Sequence, residues 1–255
     1  MKSFISTAFF MLAICLFVTN ASAQQASNPP FDFDSHGIEP PEPRSNDSRR
    51  RLREDRVLKK GPLAATASDR ELFSDFLKDR NTGLIRLMPR EVYDREVYRT
   101  TKQINIRGGG AYYSFATLTH AYGYGSDLAL ERNILSVGLA GADYGMLTNL
   151  GDRRLEDLTV KDQAARFMVQ YAAPRPEPVA RSEFRRFQAG VVIDGALYRS
   201  RLPLEIGTTY LLRSIVYRES DVLVAFRTVR KDQDGSVIIA WKLLKTYPVP
   251  ELRRK

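Results

Sequence analysis

One histidine, His120, stands where this chain can do acid–base chemistry, and its neighbours decide which kind. It follows Tyr112, Tyr113, Ser114, Phe115, Thr117 and Thr119, and leads into Tyr122, Gly123, Tyr124, Gly125, Ser126 and Asp127. A strand end running into a glycine-rich turn lets a rigid frame hold side chains over a surface. An imidazole with an ordinary pKa of about 6.5 suits general-base work there. Ser114, Ser126, Asp127, Glu131 and Asp143 are close in sequence, but no Gly-x-Ser-x-Gly elbow presents a nucleophile. The sequence therefore names no catalytic residue. The four tyrosines, apolar in body and hydroxylated at the tip, suit a platform for sugar rings or a peptide. Tyrosine is also an ordinary strand residue that packs across a sheet. The candidate ligand surface is Tyr112, Tyr113, His120, Tyr122, Tyr124 and Asp127.

Other chemistries fall away on residue type. The second histidine, His36, lies in a proline-rich stretch, so the folded part cannot supply two histidine ligands to a zinc ion. The only cysteine, Cys15, sits in the N-terminal segment, which excludes thiol catalysis, cysteine zinc sites and iron–sulfur clusters downstream. Gly108, Gly109 and Gly110 lack the Gly-Lys-Ser/Thr ending of a phosphate loop. Asp232, Gln233, Asp234 and Gly235 look like the start of a calcium loop, but Arg230 and Trp241 stand where that loop needs carboxylates, so the segment reads as a hairpin turn. No metal and no cofactor are expected. Acid pairs for glycoside cleavage can be drawn from Asp127, Glu131, Asp143, Asp152, Glu156 and Asp157, but the spacing that sets the mechanism is not written in the sequence. Arg181, Arg185, Arg186, Arg199, Arg201 and Arg213 make a candidate basic surface without a recognised nucleic-acid module, so no sequence-specific nucleic-acid binding is expected.

The elements that must position these residues begin after a long N-terminal lead. Lys2, an apolar run over residues 4–18 and Ala21-Ser22-Ala23 form an export signal cut after Ala23. The run is short of the roughly 20 apolar residues that span a bilayer. Ile14 fills the place before Cys15 where a lipid-attachment motif needs a small residue, so the reading is a cleaved signal and a secreted or periplasmic chain with no transmembrane span. Cleavage leaves 255 − 23 = 232 residues without cysteine and lowers the formal charge from +9 to +8. Such a chain forms no disulfides and must be held by a core, which its size permits. Residues 24–67 read as a disordered, proline-rich, basic linker. Its Arg49, Arg50, Arg51 and Arg53 are candidates for contact with an anionic surface.

A single α+β domain is expected over residues 68–255, with a subdivision conceivable at the prolines near 175. Ser68-Asp69-Arg70-Glu71 reads as a capping box opening a helix to about Arg80. Strands are expected over 84–88, 97–106, 111–119, 128–137 and 144–148, then a helix over 160–171 and another over 178–188 capped by Gly190. Val191-Val192-Ile193 and Ala196-Leu197-Tyr198 flank Asp194-Gly195 as a tight hairpin, and a meander over 210–217, 222–230 and 237–245 follows. Residues 222–227 are apolar on both sides at their start, which predicts a central strand covered on two faces. The fold expected is predominantly antiparallel β, sandwich-like, with about three covering helices.

These features carry no resemblance to a known family. They point to an exported soluble binding or interaction protein of the periplasm or cell envelope. Its candidate partners are an envelope polymer, an anionic surface or another exported protein. The alternative is a metal-independent hydrolase of envelope or extracellular polymer using His120 or a carboxylate pair.

Overall fold

Alternation over residues 222–226 turns Val222, Val224 and Phe226 one way and Leu223 and Ala225 the other, and all five are buried. A strand of this kind needs cover on both faces. The computed structural model describes residues 63–95, 109–120, 125–139 and 141–253. The export signal, the linker to residue 62 with Arg49, Arg50, Arg51 and Arg53, the strand expected over 97–106, and Tyr122 and Tyr124 lie outside the described residues.

In chain order the elements are α1 (Ala67–Leu72), β1 (Thr82–Leu87), α2 (Arg90–Tyr93), β2 (Tyr112–Tyr113), β3 (Leu128–Glu131), β4 (Ile134–Ser136) and β5 (Tyr144–Asn149). They continue with α3 (Arg166–Gln170), α4 (Glu177–Ala189), β6 (Val191–Ile193), β7 (Ala196–Tyr198), β8 (Arg201–Pro203), β9 (Thr209–Val216), β10 (Ser220–Lys231) and β11 (Val237–Thr246). Five strands form an antiparallel sheet in the order β1-β11-β10-β9-β5, which places β10 at its centre. A second antiparallel sheet runs β2-β3-β4-β8, and β6–β7 is a separate hairpin. The described chain is thus β-rich and mostly antiparallel with a few short helices, the α+β class its sequence predicts.

Two cores result. Val222, Val224 and Phe226 of β10 join Val237 and Ile239 of β11 in one cluster with Leu128 and Leu130 of β3 and Leu135 of β4, so the two sheets share an apolar interior. Leu223 and Ala225 face the other way, into a cluster with Met168 of α3, Ala180 and Phe187 of α4, and Tyr144 and Met146 of β5. Burying a side chain of this size contributes roughly 1.5–3 kcal/mol. Among the described residues, no helix is long and apolar enough to cross a membrane.

The meander, the Asp194-Gly195 hairpin and the second helix lie where the sequence puts them. Asp194 and Gly195 have φ of 50° and 79°, and Gly190 closes α4 at φ 93°. Other expectations are corrected. The capping box is built by Thr66 and Asp69, not Ser68 and Glu71. Thr66 Oγ1 accepts from the Asp69 amide and Asp69 Oδ2 accepts from the Thr66 amide, both at 3.1 Å. Asp69 also receives Arg230 at 2.5 Å, so a distant strand fixes the cap, and the helix ends at Leu72 before a short 3-10 turn at Phe76–Lys78. The helix expected over 160–171 is shortened to a 3-10 turn at Gln163–Ala165 followed by α3. The strand expected over 128–137 is a hairpin: Arg132 and Asn133 adopt φ of 48° and 63°, a turn without the glycine that normally signals it. Of the strand expected over 111–119 only β2 pairs with a neighbouring strand; residues 114–119 fold into a turn closed by a Ser114–Thr119 backbone pair.

Candidate functional site

Ser114–Thr119 is held from below by Asp127. Its Oδ2 accepts from the Phe115 amide at 2.7 Å, the Ala116 amide at 3.4 Å and the Ser114 hydroxyl at 3.3 Å. Asp127 is fully buried, and burial pushes its carboxyl up to about 6 despite the lowering pull of Ser214 and these donors. Tyr112 and Tyr113 are buried as well; the Tyr112 hydroxyl donates to Glu131 at 2.7 Å. His120 keeps some surface, but its Nε2 is sealed and has no hydrogen-bond partner among the described residues. Its Nδ1 donates to the Tyr112 carbonyl at 3.0 Å. Burial pushes the imidazole down to about 4, outweighing that hydrogen bond, so it is neutral and weakly basic at pH 7. The four described members of the expected site are therefore gathered at one end of the sheet pair. Three of them turn their side chains inward.

The groove with the most varied chemistry lies on the other face of the five-stranded sheet. Arg213 on β9 and Asp221 on β10 are diagonal neighbours, because Arg213 pairs with Leu223 and Asp221 with Ile215. Arg213 is 1% exposed. Its Nε and Nη2 donate to the two Asp221 oxygens at 2.5 and 2.8 Å. Its Nη1 donates to the Met168 carbonyl in α3, and the guanidinium lies 3.3 Å above the centre of the Tyr247 ring. Asp221 sits above the usual carboxylate range, because burial outweighs the pull of Arg213. An arginine has five N–H groups and three are engaged, which leaves two.

This pair floors a cleft of about 460 Å³. One wall is the α3–α4 connection with Tyr171, Ala172, Ala173 and Arg175; the other is the strap after β11, from Tyr247 to Glu251. Backbone hydrogen bonds fix both walls. The Tyr247 amide donates to Asp221 and the Arg218 amide to Pro250, at 2.9 and 2.8 Å. Further along, the Arg253 amide donates to Arg175 at 2.7 Å. Pro248 and Pro250 stiffen the strap. Beneath the connection, Tyr217 donates to the Pro174 carbonyl at 2.5 Å. Tyr144 donates to Tyr171, which donates to Glu183, at 2.8 and 2.7 Å. Burial raises all three phenols above their ordinary value, Tyr217 to about 12, so they stay protonated donors.

A second cavity, of about 320 Å³, is lined by Phe73, Arg154 and Arg227 among others. Both of its arginines are committed: Arg227 donates to the Arg153 carbonyl, Thr209 and Asp152, and Arg154 pairs with Glu156 and Asp157 at 3.7 and 3.9 Å. Among the described residues, no group of three or more His, Cys, Asp and Glu is placed to hold a metal ion.

Sequence reasoning missed Arg213 as a site residue and set it on a basic surface. The signal was present. Tyr210-Leu211-Leu212-Arg213-Ser214-Ile215-Val216 is apolar around its one charge, and a charge so placed is buried only with a partner. Asp221 opens the next strand of the meander and supplies it. Comparison with family models, curated proteins and solved structures finds no match for the chain.

Proposed function

We propose that the chain is an exported binding protein of the periplasm or cell envelope and that the cleft over Arg213 and Asp221 is its ligand site. One observation carries the reading: a cleft of about 460 Å³ has a fully buried arginine on its floor with two N–H groups uncommitted. Ligand pockets usually occupy about 300–1,000 Å³ and combine apolar walls with a few fixed polar groups. Walls already held by backbone hydrogen bonds lower the ordering penalty of binding. Export is supported by the apolar run over residues 4–18, the Ala21-Ser22-Ala23 site, and the lack of cysteine beyond Cys15.

Each half of the proposal has its own test. Mass analysis of the exported protein is expected to give a mature chain beginning at Gln24; a chain that keeps residues 1–23 overturns the export reading. Thermal-shift screening of amino acids, short peptides, sugars and organic anions is expected to yield hits that Ala173→Trp and Ala172→Trp both abolish, since either indole fills the cleft. Hits that survive in both variants place the site elsewhere.

A further inference from the structure

We propose that the cleft recognises a small zwitterion, an apolar α-amino acid or a dipeptide of such residues, and this rests on the reading of the cleft as the ligand site. Charge at its mouth is the reason. Arg175 and Glu251 line opposite walls, and neither makes an ion pair with any described residue. Below them, Arg213 has given both Asp221 oxygens their partners and retains two N–H groups. Arg213 and Asp221 thus neutralise each other, and three groups remain to meet a ligand: the Arg175 cation, the two spare Arg213 donors and the Glu251 carboxylate.

A simple anion would find Arg213 and Arg175 but would face Glu251. A simple cation would find Glu251 but meet Arg175 and leave the spare Arg213 donors without an acceptor. A molecule carrying a carboxylate at one end and an ammonium at the other satisfies all three. Its carboxylate sits on the guanidinium groups, which match planar oxyanions, and its ammonium sits on Glu251. Between these ends the walls are apolar: Ala172 and Ala173 on one side, Pro248, Val249 and Pro250 on the other. Val249 is half exposed, at 52%, an apolar side chain facing water when nothing fills the cleft. A branched aliphatic side chain would cover it.

The test uses the full mature chain in titration calorimetry with leucine and leucyl-leucine, each also as its N-acetyl and C-terminal amide derivative. One or both parent compounds are expected to bind. Blocking either end is expected to weaken binding by about tenfold or more, the loss of one charge-assisted hydrogen bond. Glu251→Gln is expected to erase the discrimination against the N-acetyl form while keeping that against the amide, and Arg175→Gln to reduce the discrimination against the amide. Both side chains are at the surface end of the cleft, so the variants fold. Equal binding of parent and blocked compounds, or discrimination untouched in Glu251→Gln, overturns the zwitterion. If neither parent binds while another hit is abolished by Ala173→Trp, the zwitterion fails and the cleft reading stands. If binding survives Ala173→Trp, the cleft reading itself fails.

Discussion

Asp143 precedes β5 with its side chain buried, accepting the Tyr217 amide at 2.9 Å. Burial pushes its carboxyl up to about 7 from 3.8, with Glu219 adding to the rise and the Tyr217 amide opposing it. The folded chain thus holds this proton more tightly than the unfolded chain. The stability this confers is complete below the unfolded pKa of 3.8 and is lost as pH rises through about 7. Asp127 acts in the same sense up to about 6. His120 opposes them: kept neutral by burial, it contributes stability above its ordinary 6.5 that is lost as pH falls through about 4. Asp143→Asn keeps the acceptor for Tyr217 and removes the charge. Melting curves are expected to show the variant gaining on the parent between about pH 4 and about pH 7, by on the order of 4 kcal/mol, and levelling off above that; parallel pH profiles would rule this out. None of this was legible from residue type, since Asp143 appeared only as one of several acids near His120. What seals it, the neighbouring strand end at Tyr217 and Glu219, is 74 positions along the chain from it in the case of the Tyr217 amide.

At the scale of elements, glycine shows where a sequence reading stops. Gly138 and Gly141 are turn residues with φ of 75° and 62°, the role their spacing suggests. Gly145 is different: it lies inside β5, where a Cβ would come within 2.4 Å of the Arg213 carbonyl oxygen and of Val137 Cγ2. Arg213 belongs to β9 and Val137 is a buried residue just after β4, so the absence of a side chain sets how closely β5 approaches. Gly145→Ala is expected to lower stability by about 2–3 kcal/mol, the range for overpacking a core. Gly141→Ala, with open space around its Cβ, should lose only about 1 kcal/mol from its positive φ. Urea denaturation measures both, and equal midpoints would remove the close-approach explanation. The β9–β10–β11 meander was legible because two-sided apolar alternation and short polar turns are local signals. The β3–β4 hairpin was not, because Arg132 and Asn133 reach positive φ without a glycine. The start of α1 was misplaced for a related reason: Asp69 is recruited by Arg230, 161 positions away, and no local pattern reports it.

Across the described molecule, the Arg213–Asp221 pair joins several separate parts: β9, β10, the α3 carbonyl of Met168 and the ring of Tyr247 in the strap. A buried ion pair is a weak source of stability, since desolvation offsets most of its attraction, yet losing one partner strands the other. Asp221→Leu is therefore expected to destabilise by about 3–5 kcal/mol. The double replacement Arg213→Met with Asp221→Leu is expected to recover most of that loss, since methionine and leucine suit the apolar cluster of Leu211, Ile215, Leu223 and Ala225 beside them. Denaturation of the two single variants and the double variant closes a mutant cycle; strict additivity would show that the two charges are not coupled. The double variant also separates stability from recognition. If it folds as well as the parent but no longer takes up any cleft ligand, packing alone does not explain why a charge stands in the middle of this sheet. An arginine that the fold can do without, held with two donors free under an open cleft, is then there for what enters the cleft.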